Sequence, residues 1–232
     1  MSSYIDKYNS SIISLWEERM WEILSKDERI SRLCPMLIPY ENTNKPIIVL
    51  GINPSHSERD FRGEKAVNKQ ILEWNLRDEI NSKTEKIISI QKDAHINVNY
   101  FKSIKKFFKN QVKFSDELFF LDLFPIRHTE QKELIAFLKD YSEIKKIFID
   151  NFYYLLKNLN PKAIVVLNKK ASEYLKKEFK ANIRFDEGII SKGQFILKNV
   201  NVPIIFSGMI TLGLDVYSKE RLALQLLDSI GP

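Results

Sequence analysis

Four short stretches of this sequence set polar, chemically competent side chains directly behind apolar runs. Gly51-Ile52-Asn53-Pro54-Ser55-His56 follows Pro46 to Leu50, and Asp122-Leu123-Phe124-Pro125-Ile126-Arg127-His128 closes Leu118 to Leu121. Asn168 follows Ala163 to Leu167, and Ser207-Gly208-Met209 follows Val202 to Phe206. Asn53 offers an acceptor and donors on a short stem, so it can orient a water through its oxygen or bind a base edge or carbonyl through its nitrogen. Gly51 permits close backbone approach and Pro54 stiffens the exit, although Asn-Pro also serves as a plain turn former. Arg127 and His128 stand at an expected strand end, where a cation suits phosphate. The Thr129 hydroxyl and the acidic Glu130 read equally well as an ordinary helix start.

Other chemistries find little support. The three histidines show neither His-x-x-x-His nor Glu-x-x-His spacing, so no dedicated metal site is expected, and His95 reads as structural or exposed. Ser55, Ser57 and Ser207 lack a Gly-x-Ser-x-Gly context, which leaves a hydrolase triad unsupported. Neither a Walker loop nor Gly-x-Gly-x-x-Gly occurs, and no cofactor is expected. The single cysteine, Cys34, cannot close an intramolecular disulfide. With no basic-then-apolar start and no apolar run near the roughly 20 residues a bilayer needs, the expected setting is cytoplasmic, away from any membrane.

The elements that must position these residues follow from hydrophobic periodicity. Ile12 to Leu24 repeats apolar residues at three and four positions, as on one helix face, and Cys34 to Pro39 reads as an extended connection. Pro46 to Gly51, Leu118 to Leu123, Ala163 to Leu167 and Val202 to Phe206 are short, continuously apolar runs, the signature of strands covered on both faces. Phe195 to Leu197 supplies a short partner to the fourth. Helical patterns lie between them: Val67 to Ile80, Tyr100 to Phe108, Gln131 to Leu138, Ile144 to Leu159, Lys170 to Phe179 and Ser218 to Leu227. Alternating strands and helices imply an α/β, three-layer sandwich with a central, mostly parallel four-stranded sheet flanked by helices. Ligands in such folds bind outside the carboxyl ends of the strands, where the four polar stretches would converge.

The length of 232 residues and 44% hydrophobic content suit one domain with a large core. The net charge is +6, and its excess sits centrally: residues 61 to 180 hold 24 Lys and Arg against 16 Asp and Glu. That field favours encounter with a polyanion, while the same lysines also read as solvated helix faces. Lys102, Lys105, Lys106 and Lys109 make one basic amphipathic face, and Lys169, Lys170, Lys176 and Lys177 a second.

Taken together, Gly51-Ile52-Asn53-Pro54 after an apolar strand, Leu121 to Arg127, and Asn160-Pro161-Lys162-Ala163 to Leu167 resemble the uracil-DNA glycosylase superfamily in order and spacing over about residues 45 to 225. The resemblance implies a single glycosylase-like domain over 1–232 with an N-terminal helical extension of about 1–40. It implies that a damaged or deaminated base in DNA is flipped into a strand-end pocket and its N-glycosidic bond is cut by water. Asn53 would direct the water, and His56 or His128 would stabilise the departing base. Gly51, Ile52, Pro54, Phe61, Phe101 and Asp122 would surround the base, with Tyr100 a further candidate for the aromatic wall. Asp122 stands where the family usually has a base-reading Asn; ionised, it accepts only, which favours an exocyclic amine or ring N–H. Ser55, Arg127, Lys169, Lys170, Ser207, Gly208 and Met209 would contact nucleic acid, with Met209 and Leu212 available as an apolar wedge. Where the family commonly has His-Pro-Ser, this chain has Ser207-Gly208-Met209, and loss of such a donor costs on the order of 3 kcal/mol, about a hundredfold in rate. That departure and Asp122 both motivate one alternative, a glycosylase-fold protein without catalysis that binds nucleic acid or a protein partner; a separate alternative is an enzyme that binds a free nucleoside or nucleotide.

Overall fold

The computed structural model describes residues 3–26, 35–41, 43, 45–53, 76–114, 118–128, 130–197, 200–210 and 214–230. They fall into two compact units, one drawn from Met1–Asn42, Ile52–His95 and Asp122–Leu155, the other from Thr43–Gly51, Ile96–Leu121 and Leu156–Pro232.

The second unit carries the sheet. Its strands are β1 (Ile47–Gly51), β2 (Leu118–Asp122, whose last residue groups with the first unit), β3 (Ala163–Val166), β4 (Ile183–Asp186), β5 (Ile189–Leu197) and β6 (Val200–Phe206), in the order β2-β1-β3-β6-β5-β4. β3 pairs in parallel with β1, Ile48 opposite Ile164, and with β6, Val165 opposite Ile205. All four β3 residues are buried, which accounts for an unbroken Ala-Ile-Val-Val run where a half-exposed strand would alternate. Helices α4 (Asn99–Phe107), α7 (Lys169–Glu178) and α8 (Val216–Ile230) belong to this unit, and α8 packs on β3 and β6.

The four expected strands are present, yet the sheet is six-stranded and mixed, a correction to the four-stranded, mostly parallel expectation. β5 runs antiparallel to both β6 and β4. The expected partner at Phe195 to Leu197 is only the end of a nine-residue strand. β4 turns at Gly188, whose φ of +71° favours glycine. Gly193 is required by contact: a Cβ there would lie 2.4 Å from the Arg184 carbonyl oxygen.

The first unit is helical. α1 (Tyr4–Leu15) begins with a capping box in which the Ser3 hydroxyl accepts from the Asp6 N–H and the Asp6 carboxylate accepts from the Ser3 N–H. Its buried face, Ile5, Tyr8, Ile12 and Leu15, continues through a π-helical turn (Trp16–Met20) into α2 (Trp21–Lys26). Trp16 is fully buried against Phe148, which in turn meets Phe124. Asn9 pins an extended segment to this helix, its amide donating to the Ile38 carbonyl at 3.0 Å and its oxygen accepting from the Ile38 N–H at 2.8 Å. The same segment bonds onward, Met36 N–H to the Pro125 carbonyl. α3 (Leu76–Asn97), α5 (Gln131–Asp140) and α6 (Ser142–Leu159) are further helices, with the ends of α3 and α6 passing into the second unit. Among the described residues no helix is long and apolar enough to cross a membrane.

Candidate functional site

In the second unit the strand order reverses at β1, with β2 on one side and β3 and β6 on the other. Asn53 is the second residue beyond β1.

Asn53 is 8% exposed, and its Nδ2 donates to the His128 carbonyl oxygen at 2.7 Å. This bond joins residues 75 apart in sequence. The Phe124 N–H to the Ile52 carbonyl at 2.7 Å draws the same two exits together. The carboxamide is therefore held by its nitrogen, which fixes the direction of its oxygen.

The His128 ring is set by its own neighbourhood. Its Nδ1 accepts from the Glu130 N–H at 3.0 Å, so the neutral ring carries its proton on Nε2, 3.5 Å from the Glu133 carboxylate. His128 thus joins the start of α5 through both ring nitrogens, its Nε2–H facing the Glu133 carboxylate.

Behind these residues lies a buried polar relay that the sequence did not disclose. Arg127 is 6% exposed and its guanidinium donates to Oε1 of Gln91. With Oε1 so engaged, the Gln91 Nε2 donates to His95 Nε2 at 2.8 Å, leaving His95 to donate from Nδ1 to the Tyr40 hydroxyl at 2.7 Å. The pattern assigns His95 the tautomer with its proton on Nδ1, because Gln91 can serve Arg127 only with its oxygen and so meets the ring with its N–H. Gln91 and His95 lie four apart on α3, hence on one face. The periodic pattern expected only to Ile80 hid that pairing, since α3 continues to Asn97. His95 is buried, at 3% exposure.

Asp122, at the end of β2, has its carboxyl pushed up to about 7, mainly by loss of hydration, with the Arg127 charge acting the other way. The buried Tyr8 phenol is raised by its own burial and then by the Asp122 charge. At neutral pH Asp122 therefore divides between a protonated form that donates and an ionised form that only accepts.

The structure brings Asn53, Asp122, Arg127 and His128 into the first unit, with Arg127 engaged inside the protein at Gln91. Gly51, Phe101, Lys169, Lys170, Ser207, Gly208 and Met209 belong to the second. Phe101 packs edge-on against Phe120 of β2 and against Tyr100, in an aromatic cluster on the sheet. Lys169 and Lys170 are exposed, Lys169 4.0 Å from Glu173, and the preceding Asn168 caps α7 through the Ala171 N–H. The Ser207 N–H continues the β3 ladder by donating to Val166. Pro54, Ser55, His56, Phe61 and Leu212 lie outside the described residues. Among the described residues no cluster of three or more His, Cys, Asp or Glu could hold a metal ion.

No protein-family model matches this sequence, and comparison with curated proteins likewise finds no match.

Proposed function

We propose that the chain hydrolyses the N-glycosidic bond of a damaged or deaminated base in DNA, with a water positioned by Asn53. The observation that carries this reading is the 2.7 Å bond from Asn53 Nδ2 to the His128 carbonyl, which sets a fixed carboxamide beside a histidine-bearing loop. The reading takes the finer architecture expected from sequence, a three-layer sandwich around a parallel core, as its frame.

In this mechanism the base is held by Asp122 and backbone groups, and the glycosidic bond lengthens with oxocarbenium character. Asn53 Oδ1 aligns the attacking water; an amide is a weak base, so its contribution is orientation. His128 Nε2–H, or His56, stabilises the negative charge on the leaving base. The raised Asp122 carboxyl alters the base preference read from sequence: protonated, it donates to a carbonyl oxygen as an Asn would.

The test is incubation with duplexes carrying uracil, hypoxanthine, xanthine or alkylated bases, followed by detection of abasic product. Release that falls by about a hundredfold in Asn53→Ala with an unchanged melting profile supports the reading. If no lesion is released, the catalytic assignment fails. A second reading, a glycosylase-like fold that binds nucleic acid or a protein partner without chemistry, draws on His128, whose two ring nitrogens are occupied at the start of α5. It predicts salt-dependent DNA affinity without abasic product.

A further inference from the structure

Away from Asn53, the second unit holds a cleft of about 320 Å³ formed by α4, the π-helical turn Phe108–Val112 that follows it, the residues after β6, and the start of α8. That volume lies at the small end of the range for small-molecule sites, about 300 to 1,000 Å³. Its base is apolar, since Phe107 and Ile210 are buried. Its lining also carries polar and cationic side chains: Lys106 from α4 and Lys219 from α8, with Ser103, Asn110 and Gln111.

Ser103, Lys106, Asn110 and Gln111 are exposed and Lys219 is half-buried, and their origin and charge narrow what the cleft could hold. The two ammonium groups come from helices remote in sequence, and none of the described residues lining the cleft carries a carboxylate. Among the described residues neither Lys106 nor Lys219 forms a salt bridge. The acid nearest in sequence to Lys219 on its N-terminal side, Asp215, is occupied at the head of α8 by the N–H and hydroxyl of Ser218. Two positive charges without a salt bridge among the described residues, beside a hydroxyl and two carboxamides, match a group with spread negative charge and several acceptor oxygens. π-helical turns such as the one supplying Asn110 and Gln111 also recur at functional sites.

We propose that this cleft binds a phosphate group, with Lys106 and Lys219 neutralising it, Ser103, Asn110 and Gln111 donating hydrogen bonds, and Phe107 and Ile210 receiving the adjoining apolar or ring portion. The phosphate is either that of a free phosphorylated small molecule or the phosphodiester of a single strand. The assignment stands on the cleft itself and is independent of glycosidic chemistry.

Titration of the full chain at low ionic strength with inorganic phosphate, adenosine monophosphate and an oligothymidylate, followed by calorimetry, tests it. One saturable site is expected, weakened about tenfold or more in Lys106→Gln and in Lys219→Gln. Lys177→Gln, an exposed α7 lysine, leaves binding unchanged. Mononucleotide affinity equal to that of the oligonucleotide identifies a small-molecule ligand. Much tighter oligonucleotide binding, with a salt slope reduced by about 0.7 per lysine removed, identifies a single strand. Absence of saturable binding to all three probes overturns the proposal, as does equal binding by K106Q, K219Q and K177Q. Abasic-product assays play no part in the outcome, so this proposal and the glycosylase reading can fail separately.

Discussion

Asp122→Asn should make the protein more stable at pH 8 while changing it little at pH 4. The Asp122 carboxyl rises from an ordinary 3.8 to about 7 on folding, mainly because it loses hydration. Between those values the folded chain binds more protons than the unfolded one, so the residue's contribution to stability falls as pH rises. Below about pH 4 both states hold the proton and the cost is absent; above about pH 7 it is fully expressed. A difference of about three pH units at 1.36 kcal/mol each gives at most about 4 kcal/mol. Asn keeps the shape and removes the titration. Urea unfolding of both proteins from pH 4 to pH 8 at constant salt isolates the effect, because all other groups cancel in the difference. A difference that stays flat within about 0.5 kcal/mol across that range would refute the reasoning, since this is the scatter of an unremarkable substitution. If the glycosylase reading holds, the same protonation sets base choice: release of carbonyl-bearing bases relative to amine-bearing ones should fall as pH passes through about 7.

Gln91→Met keeps volume but strands the buried Arg127 guanidinium and His95 Nε2, and a loss of about 3 kcal/mol is expected in chemical unfolding, against under about 0.5 for the exposed Lys146→Gln. Asn9→Leu leaves the Ile38 N–H and carbonyl buried without their side-chain partner and should cost about 2 to 4 kcal/mol, read by thermal or urea melting. Gly193→Ala pushes a methyl into the Arg184 carbonyl, so amide exchange should accelerate in β4 and β5 while β1 and β3 remain protected.

What was legible in the sequence follows from what each element buries. β1, β2 and β3 announce themselves because nearly every side chain is inside, giving the apolar runs Ile47 to Leu50, Leu118 to Leu121 and Ala163 to Val166. β4 does not, because only Ile183 of its four residues is buried, and β5 is interrupted by Lys192 and Gly193. A strand at or near a sheet edge can be built from residues that also suit a loop, so the mixed half of the sheet left almost no periodic signal. The candidate site divides in the same way. Asn53 and His128 were legible as polar residues at strand exits, since an apolar sheet makes such residues stand out. The relay behind them was not, because Tyr40, Gln91, His95 and Arg127 become neighbours only after folding and none forms a motif with another by spacing except Gln91 and His95. Arg127 shows why residue type at a strand end cannot by itself assign a role. An arginine beside a site suits phosphate when its guanidinium faces solvent; this one is buried and bonded to Gln91, and its charge lowers the Asp122 carboxyl against the larger effect of burial.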